Sequence, residues 1–118
     1  RAAPDFSVRS MEAALATLGG VPASSEEIRL QVPEMVEDGS VVPVAVNTSL
    51  AGVEEIYVLV ASNPFPLAAY FVIPEGTRPS ITLRVKMGQS GTVHAVVRAR
   101  GMLYGISRDT VVTVGGCA

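Results

Sequence analysis

The sequence predicts an all-β protein: an immunoglobulin-like antiparallel β-sandwich of about seven strands with a short N-terminal helix. Valine-rich stretches alternate between apolar and polar residues, as strands with one buried face do. Gly, Pro, Asn and Asp interrupt these stretches at intervals of roughly 8–12 residues, the strand spacing of a sandwich. Aromatic residues make up only 5% and Trp is absent, so branched aliphatic side chains must fill the core.

The first twenty residues follow a different, helical pattern. Val8, Met11, Leu15 and Leu18 recur at spacings of three and four, which places them on one face of a helix. Ser7 or Ser10 is a suitable N-cap, and Gly19-Gly20 ends the helix. We expect a short amphipathic helix that packs on the main body or on a partner.

Eight strand-like stretches follow the helix, and a closed barrel is the alternative way to arrange them. They are IRLQV (28–32), VVPVAV (41–46), VEEIYVLVAS (53–62), LAAYFVI (67–73), ITLRVKM (81–87), TVHAVVRAR (92–100), MLYGIS (102–107) and TVVTV (110–114). In the fifth stretch Ile81, Leu83, Val85 and Met87 are expected to point inward.

Three local interruptions are also predicted. The segment PEMVEDGS (33–40) is expected to be a loop that turns at Asp38-Gly39. Pro43 cannot donate a ladder hydrogen bond, so its strand should have an edge or a bulge there. Arg108-Asp109 is expected to separate the last two strands. The resulting organisation is an N-terminal helical segment (1–20), a β-sandwich domain (21–114) and a flexible C-terminal arm (115–118).

Composition excludes several classes of function. The net charge of −2 and the lack of a basic patch argue against nucleic acid as a partner. No apolar run approaches the roughly 20 residues that cross a bilayer, so no membrane role is expected. A single Cys and a single His exclude a disulfide framework and a multi-residue Cys/His metal site, and no cofactor is expected.

The charged and polar candidates for catalysis are weak. His94 lies in a strand without a second His or a nearby Cys, which favours an outward-facing strand residue over a metal ligand or base. Glu34, Glu37 and Asp38 share one loop, but their spacing matches no calcium-binding loop. Glu54 and Glu55 are adjacent in a strand and point to opposite faces, so they do not form a carboxylate pair.

Cys117 is the residue that points to a function. It follows the final strand and Gly115-Gly116, which add neither bulk nor backbone restriction. A free thiol has a pKa near about 8.5, and no neighbour in sequence lowers it. Cys117 is therefore poorly equipped to catalyse a reaction alone, and better suited to carry a group that other proteins attach and process. Gly115 and Gly116 would form the flexible arm of such a carrier.

The chain resembles the SoxY family, the sulfur-carrier subunit of the bacterial sulfur-oxidising system. The resemblance covers roughly residues 28–117 and is carried by an ordered set of short motifs. These are PEMVEDGSVVPV, NPFPL, RVKMG, GMLY and the terminal GGC. One position departs from the family, which typically ends Gly-Gly-Cys-Gly-Gly, because Ala118 follows Cys117 here.

The resemblance implies a periplasmic protein, here a mature chain without its leader, that pairs with a SoxZ-like β-sandwich subunit as a heterodimer. Cys117 would hold thiosulfate-derived intermediates covalently. A c-type cytochrome, a sulfane dehydrogenase and a sulfate-releasing hydrolase would load, oxidise and hydrolyse the adduct. The protein itself would not be an enzyme.

Two other interpretations remain open from the residues alone. In the first, the chain is a non-catalytic β-sandwich interaction module in which Cys117 is incidental. In the second, Cys117 forms an intermolecular disulfide. A mean hydropathy of +0.40 is rather apolar for a monomer of this size and favours burial against another subunit.

Overall fold

The computed structural model describes residues 2–116, which form one helix and nine strands. The elements are α1 (Met11–Leu18), β1 (Ala23–Ser24), β2 (Ile28–Gln31), β3 (Met35–Asp38), β4 (Val42–Thr48), β5 (Val53–Val60), β6 (Leu67–Val72), β7 (Ser80–Val85), β8 (Gly91–Ala99) and β9 (Met102–Val114). Arg1, Cys117 and Ala118 lie outside the described residues.

The strands form two sheets that pack face to face. The larger sheet has the order β1-β9-β8-β5-β6, with β3 also paired to β9, and the smaller has the order β2-β4-β7. The long pairings β5–β6, β5–β8, β8–β9, β2–β4 and β4–β7 are all antiparallel. The predicted fold class, an all-β sandwich with a short N-terminal helix, is confirmed.

The main core lies between the two sheets and is built from alternate residues of facing strands. Val42, Val44 and Val46 of β4 face Ile56, Val58 and Val60 of β5, and all six are buried. Val85 and Met87 are buried and Ile81 and Leu83 half-buried against this core, as their alternation predicts. Branched aliphatic residues thus fill the interior in place of large aromatic ones.

Helix α1 covers the outer face of the larger sheet and creates a second, smaller core. Ala14 and Leu18 pack there against Tyr57, Leu59 and Val96. This is why β5 is apolar on both faces: Ile56, Val58 and Val60 face the other sheet, while Tyr57 and Leu59 face the helix.

The helix begins and ends at capping residues that the sequence predicted. The Ser10 side chain accepts a hydrogen bond from the Ala13 N–H, so Ser10, and not Ser7, is the N-cap. Gly19 adopts the left-handed conformation (φ 118°), and its N–H bonds the carbonyls of Ala16 and Leu15.

The prediction of a loop over residues 33–40 is wrong for its centre. Met35–Asp38 forms β3, which pairs in parallel with Val111, Val112 and Val114 of β9. The side chains gave no signal because three of the four are exposed and only Val36 is partly buried. Backbone hydrogen bonding, and not burial of an alternating face, makes this segment a strand.

The prediction that Arg108-Asp109 interrupts the last two strands is also wrong. β9 runs without a break from Met102 to Val114, with Arg108 opposite Val93 and Asp109 opposite Thr92. Both charged side chains are exposed, and Asp109 accepts a hydrogen bond from the Thr92 hydroxyl (2.7 Å). Charged residues on the solvent side therefore leave the backbone ladder intact.

At Pro43, β4 has a partner strand on only one of its two sides. β2 ends at Gln31 opposite Ala45, so Pro43 extends beyond β2 and pairs only with Arg84 of β7. The strand has a local edge at the proline, as predicted.

Candidate functional site at the end of strand β9

Strand β9 carries the chain to the arm and is held on both sides at its end. On one side, Asp38 of β3 is in register with Val114. On the other side, β8 begins at Gly91 opposite Thr110, and Ser90 just before it holds β9: the Val112 N–H donates to the Ser90 hydroxyl oxygen (2.8 Å). The strand therefore stays anchored up to the first residue of the arm.

Gly115 and Gly116, which we call the arm root, lie against two loops. We call the facing residues Gly39, Ser40, Met87 and Gly88 the docking slot. The Gly39 N–H donates to the Val114 carbonyl (2.8 Å) and the Met87 N–H to the Gly39 carbonyl (2.7 Å). The Gly116 N–H donates in turn to the Met87 carbonyl (2.9 Å), so one chain of backbone hydrogen bonds joins all three segments.

The segments approach so closely that side chains are excluded at three positions. A Cβ on Gly39 would lie 2.2 Å from the Met87 carbonyl oxygen, and one on Gly115 would lie 2.2 Å from the Gly88 carbonyl oxygen. A Cβ on Gly116 would lie 2.5 Å from the Ser40 nitrogen. All three contacts are with backbone atoms, which cannot rotate away as the end of a long side chain can. The glycines of the arm root are thus required by close packing in this arrangement.

Side chains hold each wall of the docking slot. The Asp38 carboxylate accepts hydrogen bonds from the Ser40 N–H (2.9 Å) and the Ser40 hydroxyl (2.7 Å), and these bonds lower the pKa of Asp38. On the other wall, the Asn63 amide donates to the Lys86 carbonyl (2.6 Å) and accepts from the Gly88 N–H (3.4 Å).

Cys117, the predicted carrier residue, lies outside the described residues. The structure describes both predicted arm glycines and places them at the docking slot. Sequence reasoning missed the slot residues, although all four stand in the motifs PEMVEDGSVVPV and RVKMG.

Exposed apolar side chains border the end of β9. Met35 and Val111 are in register on neighbouring strands, and Val41 and Val114 lie next in sequence to Ser40 and Gly115. Each is between 47% and 63% exposed. We call these four residues the arm-side patch; Val111 and Val114 point to opposite faces of β9, so the patch surrounds the end of the strand.

His94 lies far from the arm. It is half-buried on β8 opposite Ser107, and burial lowers its pKa, against the opposing charge of Asp109. Val114 lies seven residues beyond Ser107 along β9, a distance of roughly 23 Å at about 3.3 Å per residue. Among residues 2–116, no group of three His, Cys, Asp or Glu side chains is arranged to hold a metal.

A buried polar cluster joins the helix to the sheet. The Glu55 carboxylate accepts hydrogen bonds from Tyr57 (2.5 Å), Tyr70 (2.8 Å) and Arg98 (2.8 Å), and Arg98 also donates to the Leu18 carbonyl at the end of α1. Burial would raise the pKa of Glu55, but the three hydrogen bonds and the Arg98 charge outweigh it and lower the pKa. Sequence analysis placed Glu54 and Glu55 on opposite faces but did not identify this cluster. The sequence signal that could have revealed the cluster is a charged residue within each of two mainly apolar strands, Glu55 in β5 and Arg98 in β8.

No helix within residues 2–116 has the length and apolar character needed to span a bilayer. No match was found among curated protein sequences. This chain is similar in fold to the superoxide reductase (neelaredoxin) from Ignicoccus hospitalis and to two of its variants. The unmodified reductase has a TM-score of 0.60 at 19% identity, over 74% of this chain and 80% of that chain. A hypothetical protein from Pyrococcus horikoshii OT3 has a TM-score of 0.57 at 14% identity over 87% of this chain and 95% of that one. At these identities the likeness concerns the fold alone.

Two further findings concern the family. The sulfur carrier protein SoxY from Chlorobium limicola f thiosulfatophilum superposes with a TM-score of 0.80 at 32% identity, over 91% of this chain and 95% of that chain. The family model described as "Sulfur oxidation protein SoxY" matches residues 14–117, most of the chain and including Cys117. This chain belongs to the SoxY family.

Proposed function

We propose that this protein is the covalent carrier of thiosulfate-derived intermediates in sulfur oxidation, and that Cys117 holds the cargo. The observation that carries the proposal is the family match, which extends through the terminal Gly-Gly-Cys to residue 117. A sulfur carrier protein is also what the similar Chlorobium structure is called. The anchored end of β9 is suited to presenting such a residue at one end of the sandwich.

The chemistry requires a thiolate that is both a nucleophile and a leaving group. In the loading step, the Cys117 thiolate and thiosulfate form a sulfur–sulfur bond and release two electrons, giving Cys–S–S–SO₃⁻; a c-type cytochrome accepts the electrons. In the release step, water attacks the sulfonate sulfur, and Cys–S–S⁻, sulfate and two protons leave. A sulfane dehydrogenase would then oxidise the outer sulfur of Cys–S–S⁻ to the sulfonate Cys–S–SO₃⁻, taking three oxygen atoms from water, releasing six protons and accepting six electrons.

The partners supply catalysis in this proposal, because the sequence offers no histidine base within reach of the arm. His94 is the only histidine in the sequence, and its strand position is roughly 23 Å from Val114. Three residues beyond Val114 reach at most about 11 Å. In this proposal the protein is a carrier and not an enzyme, and it has no resident cofactor.

We further propose a SoxZ-like β-sandwich subunit as a heterodimer partner and the periplasm as the compartment. The arm-side patch supports contact with other proteins, since exposed apolar residues grouped near a reactive end favour partner binding.

Intact-mass measurement tests the proposal. The protein is incubated with thiosulfate, the heterodimer partner and the loading cytochrome. We expect a mass increase corresponding to an added S–SO₃ group, reversed by reductant, and no increase in Cys117→Ser. An unmodified mass in the wild-type protein under these conditions would contradict the carrier function.

A chain that ends at Val114 separates this function from the interaction-module alternative. That alternative is favoured by the arm-side patch, which such a chain retains. We expect the shortened chain to bind the partner subunit but to support no thiosulfate oxidation in a reconstituted system. Full oxidation activity with the shortened chain would favour the interaction module.

A further inference from the structure

We propose that the docking slot holds the arm root reversibly, and that its opening switches the carrier between a short and a long reach. The proposal concerns where the arm pivots, and it rests on the proposed function only in assigning cargo to Cys117. It makes Gly39, Met87 and Gly88 positioning residues for the arm, with Asn63 as their support.

Shape is the first argument. Gly39, Gly115 and Gly116 each lie where a Cβ would come within 2.5 Å of a backbone atom of another segment. The three segments are distant in sequence, and Gly39 is buried. A tail that needed glycine only for freedom of rotation would not require a glycine on the facing loop as well.

The weakness of the attachment is the second argument. Val114 is held by the β3 ladder, but the described bond that holds the arm root is the one from Gly116 N–H to the Met87 carbonyl. The arm root has no side chains to bury. A single neutral hydrogen bond shifts an equilibrium by only about 2- to 10-fold. The docked and released states are therefore close in population, and a partner that contacts either state can select it.

The two states differ in how far the thiol extends. With Gly116 docked as the last fixed residue, one further residue of chain reaches about 3.8 Å. With the arm root released, Val114 becomes the last fixed residue, and three residues extend to about 11 Å. Release thus lengthens the reach about threefold without any change in the sandwich.

Amide exchange measured by NMR on the unloaded protein tests whether the slot is occupied. We expect the Gly116 N–H to exchange about 2- to 10-fold more slowly than in a free peptide of residues 113–118. In Gly116→Ala, whose Cβ would clash with Ser40, the amide of residue 116 should exchange at the peptide rate. The Met87 N–H, which donates to the Gly39 carbonyl, should stay protected from exchange in this variant. Its protection would show that the two loops remain folded.

Two further variants leave the arm sequence intact. Asn63→Ala removes the side chain that holds the Lys86–Gly88 wall, and should bring Gly116 exchange to within about 2-fold of the peptide rate. Gly76→Ala is the control for Gly116→Ala. It also replaces a glycine with alanine, at a positive φ of 83°, but the added Cβ would meet nothing within 4 Å. It should leave Gly116 exchange unchanged.

A nitroxide label on Cys117, the only cysteine, measures the reach. In the wild-type protein, paramagnetic broadening should be strongest for the amides around Gly39 and Met87. In Asn63→Ala it should weaken there and spread over a wider surface. Peptide-like Gly116 exchange in the wild-type protein, or the same broadening pattern in both proteins, would overturn the proposal. Neither measurement uses thiosulfate, so an arm that docks but is never loaded would contradict only the proposed function.

Discussion

At the scale of single residues, the most consequential buried group is Glu55. The residue is 5% exposed, and its carboxylate accepts hydrogen bonds from two tyrosines and Arg98. The Tyr57 and Tyr70 rings are stacked with centroids 5.4 Å apart, which fixes the two hydroxyl groups around the carboxylate. Arg98 depends on this arrangement because its own charge is buried.

Replacing Glu55 by Gln should destabilise the protein by about 3 kcal/mol at pH 7, because it leaves the Arg98 charge buried without its partner. Urea unfolding measures the change. The control is Glu54→Gln on the opposite face, where the exposed carboxylate accepts only the Gly101 N–H among the hydrogen bonds described, and we expect a loss of under about 1 kcal/mol.

The pH dependence of this difference follows from the lowered pKa of Glu55. A carboxyl group whose pKa is lower in the folded state stabilises the fold fully above its unfolded pKa, here 4.5, and loses that contribution as the pH falls through the folded pKa. The difference in the free energy of unfolding between the wild-type protein and Glu55→Gln should therefore become smaller below pH 4.5. A gap that stays constant down to pH 2 would contradict the assigned role.

At the scale of elements, helix α1 shows how local signals combine with one tertiary contact. Ser10 and Gly19 bound the helix as capping rules require, and Arg98 from β8 donates to its last turn at Leu18. An eight-residue helix is too short to be stable alone, so its packing on the sheet maintains it.

The two serines that the sequence offers as caps provide a matched test. Ser10→Ala should cost about 1 kcal/mol, because it removes the acceptor for the Ala13 N–H. Ser7→Ala, which removes only an exposed bond to Asp5, should change the free energy of unfolding by less than about 0.5 kcal/mol. Equal losses in urea unfolding would mean that the cap assignment is wrong.

The strands show where side-chain patterns predict structure and where they do not. β4, β5 and β8 were predictable because their apolar residues alternate or fill both faces. β3 was not, because its side chains are mostly exposed and its backbone bonds only the end of β9. The continuity of β9 through Arg108-Asp109 has the same cause: the ladder is a property of paired backbones, while the pattern reports only side-chain burial.

At the scale of the whole molecule, the larger sheet is covered on both faces, by the smaller sheet and by α1. Leu18 is 1% exposed and fills the centre of the helix-side core. This second core connects the N-terminal segment to the same strands that form the sandwich.

Leu18→Ala should therefore destabilise the entire fold, by about 2–5 kcal/mol, and not merely unfold the helix. Urea unfolding followed by both far-UV circular dichroism and tyrosine fluorescence should give one coincident transition at a lower midpoint. Glu12→Ala, on the exposed face of the helix, is the control and should shift the midpoint only slightly. A separate early transition in Leu18→Ala would show that the helix is an independent appendage.

The sequence by itself determined the sandwich, the helix with its caps, and the single thiol after two glycines. These features depend on alternation, capping residues and composition, which are local along the chain. Only the tertiary structure decided what Gly39, Gly115 and Gly116 are for. Whether a glycine serves rotation or close packing depends on the backbone that lies opposite, and here that backbone comes from segments more than twenty residues away.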